Sequence, residues 1–195
     1  LSTKSPFTFK AIKCESYNEA IIKLNEGYAE MGWLGGHFSS SDIENNIEPF
    51  AVGLPKGKKS PNYNSIFIVK DNSKLNKLED IKGSRIVINN VHSTSGYIIP
   101  KRELGNLGIN LENASEFSRV LKAENHDEAI QLLLNNEADV AAVSSINFDE
   151  FLKRNKNNSN KFKIIYKSQP IPGAPLVFSS LLNEKEKEII KNLIF

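Results

Sequence analysis

The sequence has very little cysteine, almost no net charge and no long apolar run. Cys14 is the only cysteine among 195 residues, so we expect no internal disulfide and no cysteine cluster for a metal. The net charge of +2 is too small to indicate a nucleic-acid partner, and the lysines are scattered. No apolar run approaches the ~20 residues that a membrane span requires. The composition is that of an ordinary globular protein.

Several enzyme motifs are also missing: G-x-S-x-G, H-E-x-x-H, the P-loop and G-x-G-x-x-G. Ser95, His126 and Asp139 do supply the residue types of a hydrolase triad, and their order does not exclude one. Thr94 precedes Ser95 and Gly96 follows it directly, however, so no nucleophile elbow is formed. We therefore predict no enzymatic activity, no catalytic residue, no cofactor and no metal ion.

The chain begins at Leu1, without an initiator methionine or a signal peptide. We therefore expect a processed, trimmed or partial chain. Its 195 residues suffice for one domain or for two small lobes.

Strand-like and helix-like segments alternate along the chain, which predicts an α/β fold with mainly parallel sheets. Ser16 is expected to cap the first helix, and Gly35 with Gly36 to allow a sharp turn. The predicted strands cover residues 7–13, 28–34, 49–54, 63–69, 86–88, 117–121, 138–143, 163–166 and 176–179. The predicted helices begin near residues 17, 96, 126, 146 and 184.

Residues 85–100, RIVINNVHSTSGYIIP, combine a β-branched strand with a polar turn and the start of a helix. A helix start offers free backbone N–H groups and the positive end of a dipole, and hydroxyl groups add donors. One hydroxyl is enough to cap a helix, which is the alternative interpretation. Because Ser93, Thr94 and Ser95 stand in succession, the turn favours an oxyanion such as a phosphate or phosphonate.

Polar residues also follow two other predicted strands, at 125–127 and at 144–145. In parallel sheets, ligands bind at the carboxyl ends of strands beside helix N-termini, so we expect these places to converge on one cleft. Asp139 can face this cleft and meet a ligand's amine, or form an internal hydrogen bond. Asp127 and Glu128 are assigned to the dipole of their own helix.

Several segments, in this order, resemble the phosphonate-binding proteins of ABC transporters. The resemblance is carried by WLGG, EPFAV, YNSIFIV and LEDIKGSRIVINNVHSTSGYIIP, and continued by HDEAI, ADVAAV and SQPIPGAP. It covers nearly the whole chain, and STSGY after LEDIKGxR is its most specific part. The resemblance implies a two-lobed type II periplasmic-binding fold, with the ligand held between two α/β lobes.

The resemblance also implies where the lobes divide. One lobe comprises residues 1–64 plus 175–195 and the other residues 65–167, with crossovers near 63–68 and 168–175. Family members begin with a strand and a helix before the segment matching residues 7–13. Neither precedes it here, and the closing helix is short, so the first lobe is expected to be incomplete at the N-terminus.

The resemblance implies five ligand-binding residues. Ser93, Thr94 and Ser95 would grip the phosphonate oxygens, while Tyr63 donates from a crossover and His126 from the start of its helix. Without the resemblance, His126 is also interpretable as a cap or surface residue, and Tyr63 as an edge-strand aromatic.

The implied function is transport. The protein would bind a small phosphorus oxyanion (phosphonate, phosphite, phosphate or a related anion) and deliver it to a membrane ABC permease. It would act as a monomer in the periplasm, or membrane-anchored outside the cytoplasm. The alternatives are the extracytoplasmic ligand-sensing domain of a signalling receptor and a Ser/His hydrolase.

Overall fold

The computed structural model describes residues 6–15, 17–34, 47–54 and 59–195. Within these ranges, strands and α-helices alternate regularly between residues 85 and 167. The strands are β1 (Met31–Trp33), β2 (Glu48–Val52), β3 (Ser65–Lys70), β4 (Arg85–Ile88), β5 (Arg119–Lys122), β6 (Val140–Ser144), β7 (Phe162–Lys167) and β8 (Pro175–Phe178). The α-helices are α1 (Tyr17–Asn25), α2 (Ile99–Asn106), α3 (His126–Leu134), α4 (Ser145–Arg154) and α5 (Glu184–Ile194).

The chain divides into two compact units, which we call unit 1 (Leu1–Pro61 with Gly173–Phe195) and unit 2 (Asn62–Pro172). The chain therefore passes between the units at residues 61–62 and 172–173. This division places Tyr63 in unit 2. The lobe boundaries implied by the resemblance, 1–64 plus 175–195 and 65–167, stay a prediction.

Unit 2 is built on a five-stranded sheet with the order β5-β4-β6-β3-β7. Alternate residues of the interior strand β3 enter two different cores, because successive side chains of a strand point to opposite faces. Ile66 and Ile68 pack in one core, and Phe67 and Val69 in the other. Helices α3 and α4 cover the first face, and α2 contributes Leu104 to the second. A sheet buried on both faces explains the nearly continuous apolar runs of β3, β4 and β6.

Unit 1 contains a three-stranded antiparallel sheet with β8 between β1 and β2. Val177 of β8 is fully buried and packs with Leu24 of α1, Leu34 and Ile47. Phe178 stacks on Phe50 of β2, with ring centroids 3.7 Å apart. The apolar face of α1 thus covers this sheet.

Neither sheet is mainly parallel, which corrects one expectation: the sheet of unit 1 is antiparallel and that of unit 2 is mixed. In unit 2, β4 runs parallel to β5 and to β6, whereas β3 runs antiparallel to its neighbours β6 and β7. Strand β3 thus lies between two strands that run in the same direction as each other. A buried strand has the same apolar pattern in either direction, so the sequence pattern did not reveal this insertion.

The predicted strand at residues 7–13 is wrong, since no regular secondary structure occurs between residues 8 and 14. Alternating polarity determines which face of a strand would be buried. It does not ensure that a neighbouring strand is present to form the backbone hydrogen bonds. Phe7 and Phe9 instead form an edge-to-face pair with ring centroids 6.5 Å apart. The predicted cap at Ser16 and the predicted turn at Gly35 and Gly36 lie outside the described residues.

Candidate functional site

One edge of the sheet in unit 2 collects polar groups from all five strands. Because β4, β5 and β6 are parallel, and β7 runs in the same direction as β6, the carboxyl ends of these strands lie at the same edge. The antiparallel β3 begins there, and α3 and α4 start after the ends of β5 and β6. We call residues 64–65, 89–96, 125–126, 144–145 and 168 the polar edge. Several helix N-termini, which attract anions, therefore meet at the polar edge.

The hydroxyl run begins a helical segment after β4. Thr94–Ile98 form one turn of π-helix that continues into α2. The Ser93 hydroxyl caps this turn, accepting the Gly96 N–H at 3.1 Å. Ser93, Thr94 and Ser95 are buried, and the Thr94 Oγ1 atom has no hydrogen-bond partner. Only one of the three hydroxyls is used as a cap, and the Ser93 O–H remains able to donate.

Gly96 brings Asn89 into contact with the helix start. The Asn89 N–H donates to the Gly96 carbonyl at 3.0 Å. A Cβ atom at residue 96 would lie only 2.3 Å from Asn89 Oδ1. Only glycine therefore allows the Asn89 side chain to pack this closely against the helix start. The Asn89 side chain is 3% exposed, and neither its Nδ2 nor its Oδ1 atom has a partner.

The beginning of β3 ties the hydroxyl turn to the neighbouring strands. The Ser65 hydroxyl donates to the Ser95 carbonyl at 2.6 Å, and the Ser65 N–H donates to Ser168 Oγ at 3.0 Å. The Asn64 N–H donates to Ser145 Oγ at 3.0 Å, and the Ser145 N–H returns a bond to the Asn64 carbonyl at 2.9 Å. These crossed bonds fix the starts of β3 and α4 relative to the hydroxyl turn.

His126 is the first residue of α3 and is half-buried. The Ser144 N–H donates to its Nδ1 atom at 3.4 Å, so the neutral ring carries its proton on Nε2. Burial lowers the pKa of His126 to about 4. Near neutral pH the ring therefore offers an uncharged Nε2–H donor. Asn125 caps the helix as predicted, accepting the Glu128 N–H at 2.9 Å.

We expect the low pKa of His126 to make stability depend on pH. Its pKa falls from 6.5 when unfolded to about 4 when folded, so the unfolded chain binds more protons between these values. The contribution of His126 to the free energy of unfolding should be fully present above pH 6.5. It should decrease as the pH falls towards 4, by at most about 1.4 kcal/mol per pH unit. Urea unfolding of the wild type and of His126→Gln across this range measures the effect. An equal decrease in both proteins would contradict this origin.

The structure brings four of the predicted site residues to the same edge. Ser93, Thr94 and Ser95 are linked to His126 through Ser65, which pairs with Ser144 across β3 and β6. Tyr63 stands two residues before β3, and its N–H donates to the Ile171 carbonyl at 2.9 Å. Contact between a ligand and these five residues stays a prediction.

Asp139 does not belong to the polar edge, and of its two interpretations the internal hydrogen bond is the one confirmed. It precedes β6, whereas Ser144 ends this strand, so the two lie roughly 16 Å apart at 3.3 Å per residue. Both carboxylate oxygens bind Arg85, with Nη2–Oδ1 at 2.7 Å and Nε–Oδ2 at 3.1 Å. The Arg85 guanidinium lowers the pKa of Asp139. Asp139 is therefore a structural partner of Arg85 and forms no triad with His126.

The two carboxylates that begin α3 are also engaged. Asp127 binds Arg154 Nη2 through both oxygens, at 2.8 and 2.9 Å. Glu128 Oε2 accepts the Glu124 N–H at 2.8 Å. Glu128 thus binds backbone at the start of its own helix, whereas the ion pair of Asp127 with Arg154 of α4 goes beyond the assignment to the helix dipole.

No three His, Cys, Asp or Glu side chains in the described ranges are grouped so that they could hold a metal ion. In the same part of the chain, no helix is both long enough and apolar enough to cross a membrane.

Residues 1–195 match the family model described as "ABC transporter, phosphonate, periplasmic substrate-binding protein". The chain belongs to this family. The resemblance seen in its sequence is thus confirmed. The phosphonate-binding family consists of transport proteins that bind a substrate, not of enzymes.

Among the relatives of this chain is the phosphonates-binding periplasmic protein of Escherichia coli strain K12. This chain is 32% identical to it over 166 residues, which cover 83% of this chain and 48% of the relative. The chain spans about half the length of the curated relatives it matches.

Two solved structures show the fold. A binding protein component of an ABC phosphonate transporter from Pseudomonas aeruginosa is 24% identical, with a TM-score of 0.89 over 100% of this chain and 65% of that chain. A Prochlorococcus marinus protein in complex with methylphosphonate is 20% identical, with a TM-score of 0.77 over 94% and 69%. The type II periplasmic-binding fold is thus confirmed.

Sequence reasoning missed several polar residues of this edge. Ser65, Asn64 and Ser168 lie at the ends of β3 and β7, and Asn89 follows β4. The sequence carries only a weak indication that these residues belong to the polar edge, because each is a single polar residue beside an apolar strand. Ser144 and Ser145 were identified in advance since they stand together between a strand and a helix.

Proposed function

We propose that this chain binds a small phosphorus oxyanion, such as a phosphonate or phosphite, at the polar edge of unit 2. The observation that carries the proposal is the run of three buried hydroxyl-bearing residues at a helix start, beside the starts of α3 and α4. Relatives named for phosphonate and phosphite binding, and the methylphosphonate complex, support this class of ligand.

The polar edge suits an anion because its groups donate hydrogen bonds without carrying charge. Ser93 and Thr94 offer hydroxyl donors, and neutral His126 offers Nε2–H. Hydrogen bonds to a charged group contribute about 1.5–3 kcal/mol each. Several such bonds, formed in a site with little water, would bind a small anion tightly.

We further infer that binding involves no chemical step. His126 Nδ1 accepts a backbone N–H, so the ring lacks the carboxylate partner that orients a general base. Asp139, which could supply that carboxylate, is bound to Arg85. The protein would serve an ABC permease as a monomer in the periplasm, or anchored outside the cytoplasm.

Isothermal titration of the protein against methylphosphonate, phosphite, phosphate and 2-aminoethylphosphonate tests the proposal, with sulfate as a control anion. We expect saturable binding of at least one phosphorus oxyanion and much weaker binding of sulfate. Absence of binding to every phosphorus oxyanion in the series would refute the proposed function.

Within this series, 2-aminoethylphosphonate should bind no more tightly than methylphosphonate. An ammonium group in a buried site needs a carboxylate, because a buried unpaired charge is very costly. In unit 2, Asp127 is bound to Arg154 and Asp139 to Arg85. The same titrations measure this preference, and clearly tighter binding of the aminoalkyl ligand would contradict it.

A further inference from the structure

Three polar atoms beside the hydroxyl run are buried and have no hydrogen-bond partner: Nδ2 and Oδ1 of Asn89, and Oγ1 of Thr94. Asn89 is 3% exposed and Thr94 9% exposed. The great majority of buried polar side-chain atoms in native proteins are hydrogen-bonded, so three orphans in one turn require an explanation. A ligand that pairs with them is one.

The orphaned amide lies at the helix start itself. A Cβ atom at Gly96 would lie 2.6 Å from Asn89 Cβ, 2.7 Å from Cγ and 2.3 Å from Oδ1. The Asn89 side chain therefore lies directly against Gly96, whose N–H is already taken by Ser93. The amide and the Thr94 hydroxyl thus flank the same turn, but no group in the described part of the chain forms a hydrogen bond with them.

An amide differs from the other groups of this turn because it must both donate and accept. Whichever way it is turned, it presents one NH₂ donor and one carbonyl acceptor. A fully deprotonated oxyanion leaves the acceptor unpaired and brings a negative oxygen towards it. A phosphorus oxyanion that retains one acidic proton satisfies both, through a P–O⁻ acceptor and a P–OH donor.

We propose that Asn89 is a ligand-binding residue whose carbonyl oxygen accepts the P–OH proton, so that the site selects a monoprotonated phosphonate over a sulfonate. Methylphosphonate with one proton and methanesulfonate have similar shapes and the same charge, but only the former has a proton to donate. The inference rests on the proposed function, since it concerns the same anion site.

Asn89→Leu tests this inference, because leucine has the same number and branching of side-chain heavy atoms as asparagine and removes both polar atoms. Replacing an unpaired buried amide by an apolar group of the same shape can be nearly neutral for stability, although the methyl groups of leucine need slightly more room beside Gly96. Titrations use methylphosphonate and methanesulfonate at a pH where the phosphonate retains one proton. We expect the wild type to bind methylphosphonate at least tenfold more tightly than methanesulfonate. The affinity of the variant for methylphosphonate should be lower by about tenfold or more, and most of its preference over methanesulfonate should be lost.

The other outcomes separate the two proposals. If Asn89→Leu keeps the wild-type affinity and preference while Ser93→Ala binds more weakly, the inference is overturned and the proposed function stands. A lower affinity with an unchanged preference also overturns it, since Asn89 would then only position the turn. If the wild type binds no phosphorus oxyanion, both fail. Should Asn89→Leu not fold, Asn89→Ala is titrated in its place and judged in the same way.

Discussion

Gly96→Ala should weaken anion binding and lower the melting temperature together. The added Cβ atom would lie 2.3 Å from Asn89 Oδ1 and 2.6 Å from Asn89 Cβ, so either Asn89 or the helix start must move. Forcing extra atoms into a packed site costs about 1–3 kcal/mol, which corresponds to a decrease of roughly 2–12 °C in a domain of this size. Any displacement of the turn also misaligns the Ser93 and Thr94 hydroxyls, so we expect binding to fall at least tenfold.

Gly105→Ala is the matched control for this change. Gly105 lies in α2, which continues from the same turn, but a Cβ atom there would meet nothing within 4 Å. Alanine in a helix interior is roughly 0.5–1 kcal/mol more favourable than glycine, so this variant should be slightly more stable and should bind normally. Differential scanning calorimetry and titration with methylphosphonate measure both variants. Equal behaviour of the two would show that the close contact at Gly96 does not constrain the site.

Alanine at Ser93, Thr94 or Ser95 should weaken phosphorus-oxyanion binding by about 1.5–3 kcal/mol in each single variant. This loss corresponds to roughly 10- to 150-fold in Kd. The three changes should differ in their effect on folding. Ser93→Ala also removes the cap on Gly96, which costs about 1 kcal/mol of stability, whereas Thr94→Ala removes a hydroxyl with no partner in the folded protein.

The triple variant with alanine at Ser93, Thr94 and Ser95 should show no phosphorus-oxyanion binding that titration can measure. Ser159→Ala, at an exposed residue of unit 2 outside the polar edge, is the control and should behave as the wild type. Unfolding and titration of all variants separate loss of the cap from loss of ligand contacts. If every single variant keeps wild-type affinity, the site assignment is wrong.

The sequence by itself determined features that depend on neighbouring residues. The start of α3 at His126 follows from its cap, Asn125, and the helix α5 occupies the predicted residues 184–194. The hydroxyl run begins a helical segment as predicted, because Ser93 caps it and Gly96 lies within it. Local capping and polarity periodicity are sufficient for such elements. The family could also be identified, because its most specific segment is contiguous in the sequence.

Only the tertiary structure decided which strands pair and which polar side chains meet. Strand β3 runs against both of its neighbours, and this direction brings Ser65 to the carbonyl of Ser95, thirty residues further along the chain. The parallel pairing of β4 with β6 brings Asp139, which precedes β6, to Arg85 at the start of β4. The sequence left open whether Asp139 faces the cleft or forms an internal hydrogen bond, and only the tertiary structure showed Arg85 as its partner. Contacts between residues distant in sequence are set by packing of the whole sheet, which no local pattern encodes.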